Sequence, residues 1–108
     1  MEQITDEQVL ESVFKAELAI LFKHSTICAA SGVAMEEMEI FVSDRPDVPV
    51  YVIDVSRQRP LSQKAAAFLG IEHESPQVII IRNGLAAWNT SHFGVTAAKV
   101  SAALSSST

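Results

Sequence analysis

The sequence predicts one α/β domain, built on a mixed four-stranded central sheet with helices on both faces and preceded by an N-terminal helix. Three observations carry that expectation. Short runs rich in apolar residues, "LAILFKH", "VYVIDV" and "QVIIIR", alternate with stretches of helical periodicity. The last run leads into Asn83-Gly84 and a second extended stretch, the signature of a tight hairpin. The chain has 108 residues, 48% of them apolar, enough for a single domain with its own core.

Residues 5 to 16 open with "TDEQ", read as a capping box that starts at Thr5, and Val9, Leu10, Val13 and Phe14 then form one helical stripe. "LAILFKH" follows as a buried strand. From Ala29 to about Val42, the residues Ala30, Val33, Ala34, Met38 and Phe41 predict a helix face, with Glu36, Glu37 and Glu39 turned away. Gly32 inside that helix weakens it by about 1 kcal/mol relative to Ala. "DRPDVP" breaks the helix, and "VYVIDV" reads as a second buried strand with Asp54 near its end. Pro60 suits the first turn of the next helix, and Gly70 suits its C-terminal cap. Strands at 77–82 and 85–90 flank the Asn83-Gly84 turn, with Trp88 packing on the sheet. Thr96 caps a last helix, and residues 105–108, "SSST", read as a frayed tail on a domain spanning 1–108. The resulting order is α-β-α-β-α-β-β-α.

Charge and composition exclude several function classes. The net charge is −5, and eight Lys and Arg are spread thinly, with no basic stripe, so nucleic-acid binding is not expected. The apolar runs are too short to span a bilayer, and "MEQITDEQVLESVFK" lacks the pattern of a signal peptide, which predicts a cytoplasmic, reduced protein. A single cysteine excludes an internal disulfide and a four-cysteine or Cys2His2 zinc site. No ligand spacing supports a metal site that joins Cys28 to the histidines.

The predicted order puts Cys28 after the first long strand and at the amino end of a helix. Unpaired N–H groups and the helix dipole favour a thiolate there over a thiol. The thiolate is the attacking species in disulfide exchange. The plain alternative is a small buried apolar residue. Ser31 lies one turn on; it can donate a hydrogen bond to a thiolate but cannot form a disulfide, and it can equally satisfy local backbone. Ser75-Pro76 directly precedes a strand, where proline either starts the strand or adopts the cis form. His24, His73 and His92 fall at strand ends or adjoining loops. A protonated His24 is the first candidate to stabilise the sulfur; the alternative for all three is a loop-anchoring imidazole.

In order from about Leu18 to His92, "FKHSTxCxxS", "VYVIDV", "RPLS", "HESPQV" and "NGxxxWxxSH" resemble the monothiol bacilliredoxins, thioredoxin-like proteins of the bacillithiol system also described as general-stress proteins. The resemblance implies a thioredoxin-like fold with Cys28 as nucleophile and Ser31 where a resolving cysteine is missing. It implies a substrate-binding loop at Ser75 and a cis Pro76, with Thr26 and His24 in the substrate-binding set. It further implies bacillithiol as co-substrate, with no tightly bound cofactor, and oxidised client proteins as partners. One departure stands out. The family usually has Thr-Cys-Pro-Ile-Ser, whereas this chain reads Ile27-Cys28-Ala29-Ala30-Ser31 and so loses a proline at the helix start.

The leading expectation is a one-cysteine thiol–disulfide oxidoreductase that reduces mixed disulfides between protein cysteines and a small thiol. A second is a thioredoxin-like binding module in which Cys28 is idle. A third, ranked last because Ala29-Ala30 departs from the Cys-Gly-Phe-Ser pattern, is iron–sulfur binding of the monothiol glutaredoxin kind.

Overall fold

Alternation along the strands decides how the layers stack. The computed structural model describes residues 1–106. Its strands are β1 (Glu2–Gln3), β2 (Leu18–His24), β3 (Val50–Asp54), β4 (Gln77–Arg82) and β5 (Leu85–Ser91). Its helices are α1 (Glu7–Lys15), α2 (Ala29–Asp44), α3 (Arg59–Leu69) and α4 (Ala97–Ser106), with a 3-10 turn at His92–Gly94. The strands form one sheet in the order β1-β3-β2-β4-β5. β2 and β3 are parallel, and β4 and β5 are antiparallel to their neighbours.

Successive side chains on a strand point to opposite faces. On one face Ile20, Phe22, Val52, Val78 and Ile80 pack against Ala34, Met38 and Phe41 of α2 and Val100 and Leu104 of α4. On the other, Ala19, Leu21, Ile53, Ile79 and Ile81 meet Leu10, Val13 and Phe14 of α1 and Leu61 and Ala65 of α3. Trp88 is half-buried against the first cluster, as the sequence predicts. Burying each such Leu, Ile or Phe contributes roughly 1.5–3 kcal/mol, so both faces are held independently.

The sheet has five strands, not the four expected. Glu2 and Gln3 pair in parallel with Tyr51 and Val52, and the Ile4 N–H donates to the Val52 carbonyl at 2.8 Å. Two exposed polar residues carry no alternation to read; backbone pairing and the buried Ile4 side chain hold them. The α1 cap also moves by one residue. Asp6, not Thr5, is the N-cap, and its carboxylate accepts from the Val9 N–H at 2.9 Å.

The buried face of α2 is rotated from the expected one. Ser31 takes a buried position, while Val33 is 53% exposed. Glu37 is half-buried, and its carboxylate accepts the Ala97 N–H at 2.9 Å, so α2 helps cap α4. Thr96 caps α4 as expected, its hydroxyl accepting from the Lys99 N–H at 3.2 Å. α4 continues through Ser106; the rest of the tail expectation, residues 107–108, lies outside the described residues.

Two glycines give opposite expectations for the same change. Gly32 is helical, and an added Cβ would meet nothing within 4 Å. Gly84 has φ +80° in the hairpin turn beside Asn83 at φ +52°, and its Cβ would come 3.0 Å from the Phe14 carbonyl oxygen. In urea unfolding, Gly32→Ala is expected to stabilise by about 1 kcal/mol. Gly84→Ala is expected to destabilise by more than ~1 kcal/mol. Equal signs for the two would contradict this account of the backbone.

Candidate functional site

β2 is the central strand, and the segment leaving it carries Cys28. The Val55 N–H donates to the His24 carbonyl at 2.8 Å, which fixes the end of the strand. The chain then turns through Ser25 to Ile27. The Cys28 N–H donates to the Ser25 carbonyl at 3.3 Å, and the Ile27 N–H to the Ser25 hydroxyl at 3.4 Å. Cys28 occupies the N-cap position of α2, with φ −110° and ψ 125°. Its side chain is half-exposed. The helix starts at Ala29 without proline, and that side chain is exposed.

The thiol makes no ordinary capping hydrogen bond. Instead the sulfur faces donors that favour its ionised form. The N–H groups of Ser31 and then Ala30 hold the Cys28 pKa below that of a free thiol; the Ser31 hydroxyl adds a smaller push, and partial burial opposes them. Ser31 is itself fully buried and accepts the Ser25 N–H at 3.1 Å. It therefore braces the loop on both sides of the sulfur. The two roles left open by the sequence are filled by one hydroxyl.

The surroundings of His24 disfavour the cation that the sequence points to. Burial lowers its pKa, more than the Asp54 carboxylate raises it, and the ring packs against Phe22 with centroids 5.6 Å apart. The other two histidines anchor the loop before Pro76. The His73 Nδ1 contacts the Lys23 Nζ at 3.3 Å and the Ser62 hydroxyl at 3.1 Å. Burial, then Lys23, lower the His73 pKa. His92, at φ +54°, contacts the Glu74 carboxylate through Nε2 at 2.9 Å, and its N–H donates to the Pro76 carbonyl at 2.9 Å.

The Ser75-Pro76 peptide is cis. The Ser75 hydroxyl is buried without a hydrogen-bond partner among the described residues. The β4 ladder begins only at Gln77, and among the described residues the Ser75 backbone has no backbone hydrogen bond. Thr26 is exposed, its hydroxyl 3.3 Å from that of Ser56. Asp54 ends β3 and accepts the Ser56 hydroxyl at 2.6 Å; that hydrogen bond does most to lower its pKa. Among the described residues no three His, Cys, Asp or Glu side chains cluster to hold a metal ion.

Two residues that sequence reasoning passed over build the site from beneath. Lys23 and Gln77 are cross-strand partners at the ends of β2 and β4. Both point inward, Lys23 at 0% exposure and Gln77 at 1%. The Lys23 Nζ donates to the Ser62 carbonyl at 3.1 Å. The Gln77 amide donates to the Glu72 carbonyl at 3.0 Å and accepts the Glu74 N–H at 3.4 Å. The signal was their phase: alternation from Ala19 and Leu21 puts Lys23 on the buried face. Burial brings the Lys23 pKa down to about 8.

A mixed sheet that sets a helix-start cysteine beside a cis-proline loop defines a thioredoxin-fold protein. Solved structures bear this out: one with a thioredoxin fold is 27% identical, covers 95% of this chain and 92% of its own, and superposes with a TM-score of 0.88. Thioredoxin from Trypanosoma brucei brucei shares the fold at 13% identity, covering 96% and 87% with a TM-score of 0.80. Fasciola hepatica thioredoxin does so at 15% identity, covering all of both chains with a TM-score of 0.79. The sequence pattern of the monothiol bacilliredoxin BrxC family matches residues 2–100, and the chain belongs to that family. Fold and family together make it a thioredoxin-like thiol oxidoreductase. No helix among the described residues is long and apolar enough to cross a membrane.

Two expectations follow from this geometry. Ser31→Ala strands the buried Ser25 N–H, at a cost of about 1–3 kcal/mol, and removes a donor to the sulfur. The midpoint of the iodoacetamide rate against pH should therefore rise, though it should stay below the ~8.5 of free cysteine because the backbone donors remain. An unchanged midpoint would show that the hydroxyl does not act on Cys28.

The second concerns Lys23, whose folded pKa lies below its unfolded value, so the unfolded chain binds more protons between about pH 8 and ~10.4. Stability should rise with pH through that window, by up to ~3 kcal/mol relative to a Lys23→Met variant. Urea unfolding of both proteins at pH 7 and pH 10.5 measures this. Parallel pH profiles would rule it out.

Proposed function

We propose that this protein uses Cys28 to reduce mixed disulfides between protein cysteines and a low-molecular-weight thiol, with bacillithiol as the thiol the family name implies. The observation that carries the reading is the set of backbone donors, from Ser31 and Ala30, that lower the Cys28 pKa while the sulfur stays accessible. The thiolate attacks the small-thiol sulfur of the mixed disulfide. The old S–S bond breaks, a new one forms to Cys28, and the client leaves as a thiolate that takes a proton from water. A second small thiol then attacks the adduct as its thiolate. It releases Cys28 and departs as a symmetric disulfide. The chain has no other cysteine, so expulsion from within is closed.

Client docking falls to the loop ahead of β4. The unpaired Ser75 backbone suits an added extended strand, and Pro76 lies next to it. Two exposed apolar side chains, Ile27 at 87% and Phe93 at 78%, stand beside Cys28 and just after His92 respectively, and suit an apolar client segment. Thr26, exposed in the same loop, and His24 at the strand end complete the substrate-binding set we propose.

The test is a peptide carrying a bacillithiol mixed disulfide, followed by intact-mass measurement. The expected products are free peptide and Cys28 heavier by one bacillithiol, with neither formed by Cys28→Ser. Peptide left on Cys28 in place of the small thiol, or no exchange at all, would overturn the mechanism.

A further inference from the structure

A cleft of about 360 Å³ opens between the Cys28 loop and the amino end of α3, of a size that suits a small-molecule head group. Ser25 and Ile27 form one wall, Arg59, Ser62 and Gln63 another, and His73 closes an end. No Asp or Glu lines it, although the chain carries thirteen of them. Arg59 is exposed and makes no ion pair among the described residues. Beneath the lining lies Lys23, hydrogen-bonded to Ser62 and in contact with His73, with no ion pair among the described residues. The α3 N-cap, Gln58, makes no side-chain capping hydrogen bond. Burial lowers the His73 pKa most, then Lys23; the Glu74 carboxylate opposes them, and Arg59 adds a smaller lowering from the cleft wall.

We propose that this cleft is a carboxylate-binding subsite for the low-molecular-weight thiol in exchange, with Arg59 as its charged contact. The inference rests on the exchange reading above and deepens it by naming where the small thiol is held and by which residue. In a protein of net charge −5, a hollow beside the Cys28 loop that is lined by an arginine and by no carboxylate stands out from its surroundings. It also supplies a regiochemistry. A mixed disulfide has two sulfurs, and attack on the small-thiol sulfur alone frees the client. Holding the small thiol's carboxylate in the cleft brings that sulfur to Cys28. Lys23 is a positioning residue here: it holds Ser62 and His73 and does not touch the thiol.

The experiment uses small symmetric disulfides and no client, so an acidic client residue cannot stand in for the thiol. The probes are 3,3′-dithiodipropionate and 6,6′-dithiodihexanoate, each against its uncharged primary amide, with Cys28 adduct formation followed by mass. The acid-to-amide rate ratio is expected to exceed that of free cysteine for at least one chain length. Arg59→Gln should cut this ratio roughly 10-fold, and Arg59→Glu should cut it further. A ratio that ignores both changes overturns the cleft assignment and leaves the exchange reading standing. Failure of Cys28 to react with any of the four probes faster than free cysteine overturns the exchange reading itself.

Discussion

The antiparallel pairing of Lys23 with Gln77 is the constraint on which the site depends. Because β4 runs against β2, the end of one strand lies opposite the start of the other. The residues that follow β2 carry Cys28, and those that precede β4 carry Ser75 and Pro76. Register alone therefore brings two loops, far apart in sequence, to one edge of the sheet. The side chains of that pair then hold the loop: Gln77 ties down the backbone of Glu72 and Glu74, and Lys23 reaches Ser62 and His73. A one-residue slip of either strand would turn its inward group to the opposite face.

The Cys28 pKa is lowered by backbone donors rather than by a charged side chain. Donors from Ser31 and Ala30 come with the helix start and keep their direction whatever the charge of neighbouring groups. His24, the obvious cation in sequence, packs against Phe22 and has its pKa lowered by burial, which works against that role. With Ala29 where the family usually has proline, the helix begins at Ala29 and the donors lie beyond it, at Ala30 and Ser31. Ser31 matters more than its place as a missing cysteine implies, because its buried hydroxyl joins the Ser25 backbone to the sulfur's surroundings.

A buried lysine without a carboxylate costs stability at neutral pH, and a protein retains one where it serves another end. Lys23 stands under the cleft wall and the loop anchor together, so loop geometry and positive potential share one source. His73 and His92 carry out the matching task from the other side, through Ser62 and through Glu74 and the Pro76 carbonyl. Both are loop anchors, the plainer of the two roles that their positions allowed.

Much of the fold was legible because its signals are local. The β2 run 18–24, the proline and glycine at the ends of α3 and the Asn83-Gly84 turn all stand where the residues predict them. Cys28 at a helix start, and the family to which the chain belongs, were readable for the same reason. Strand β1 was not, since two polar residues pair by backbone alone. The buried roles of Ser31, Lys23, Gln77 and Glu37 were not readable either. Each is polar, and only the packed structure decides whether a polar side chain faces water or satisfies a distant backbone group. By itself the sequence determined the four long helices, four of the five strands, their order and the place of Cys28 at a helix start. The tertiary structure decided which groups surround that sulfur, because hydrogen bonds between segments depend on register and packing that no local pattern encodes.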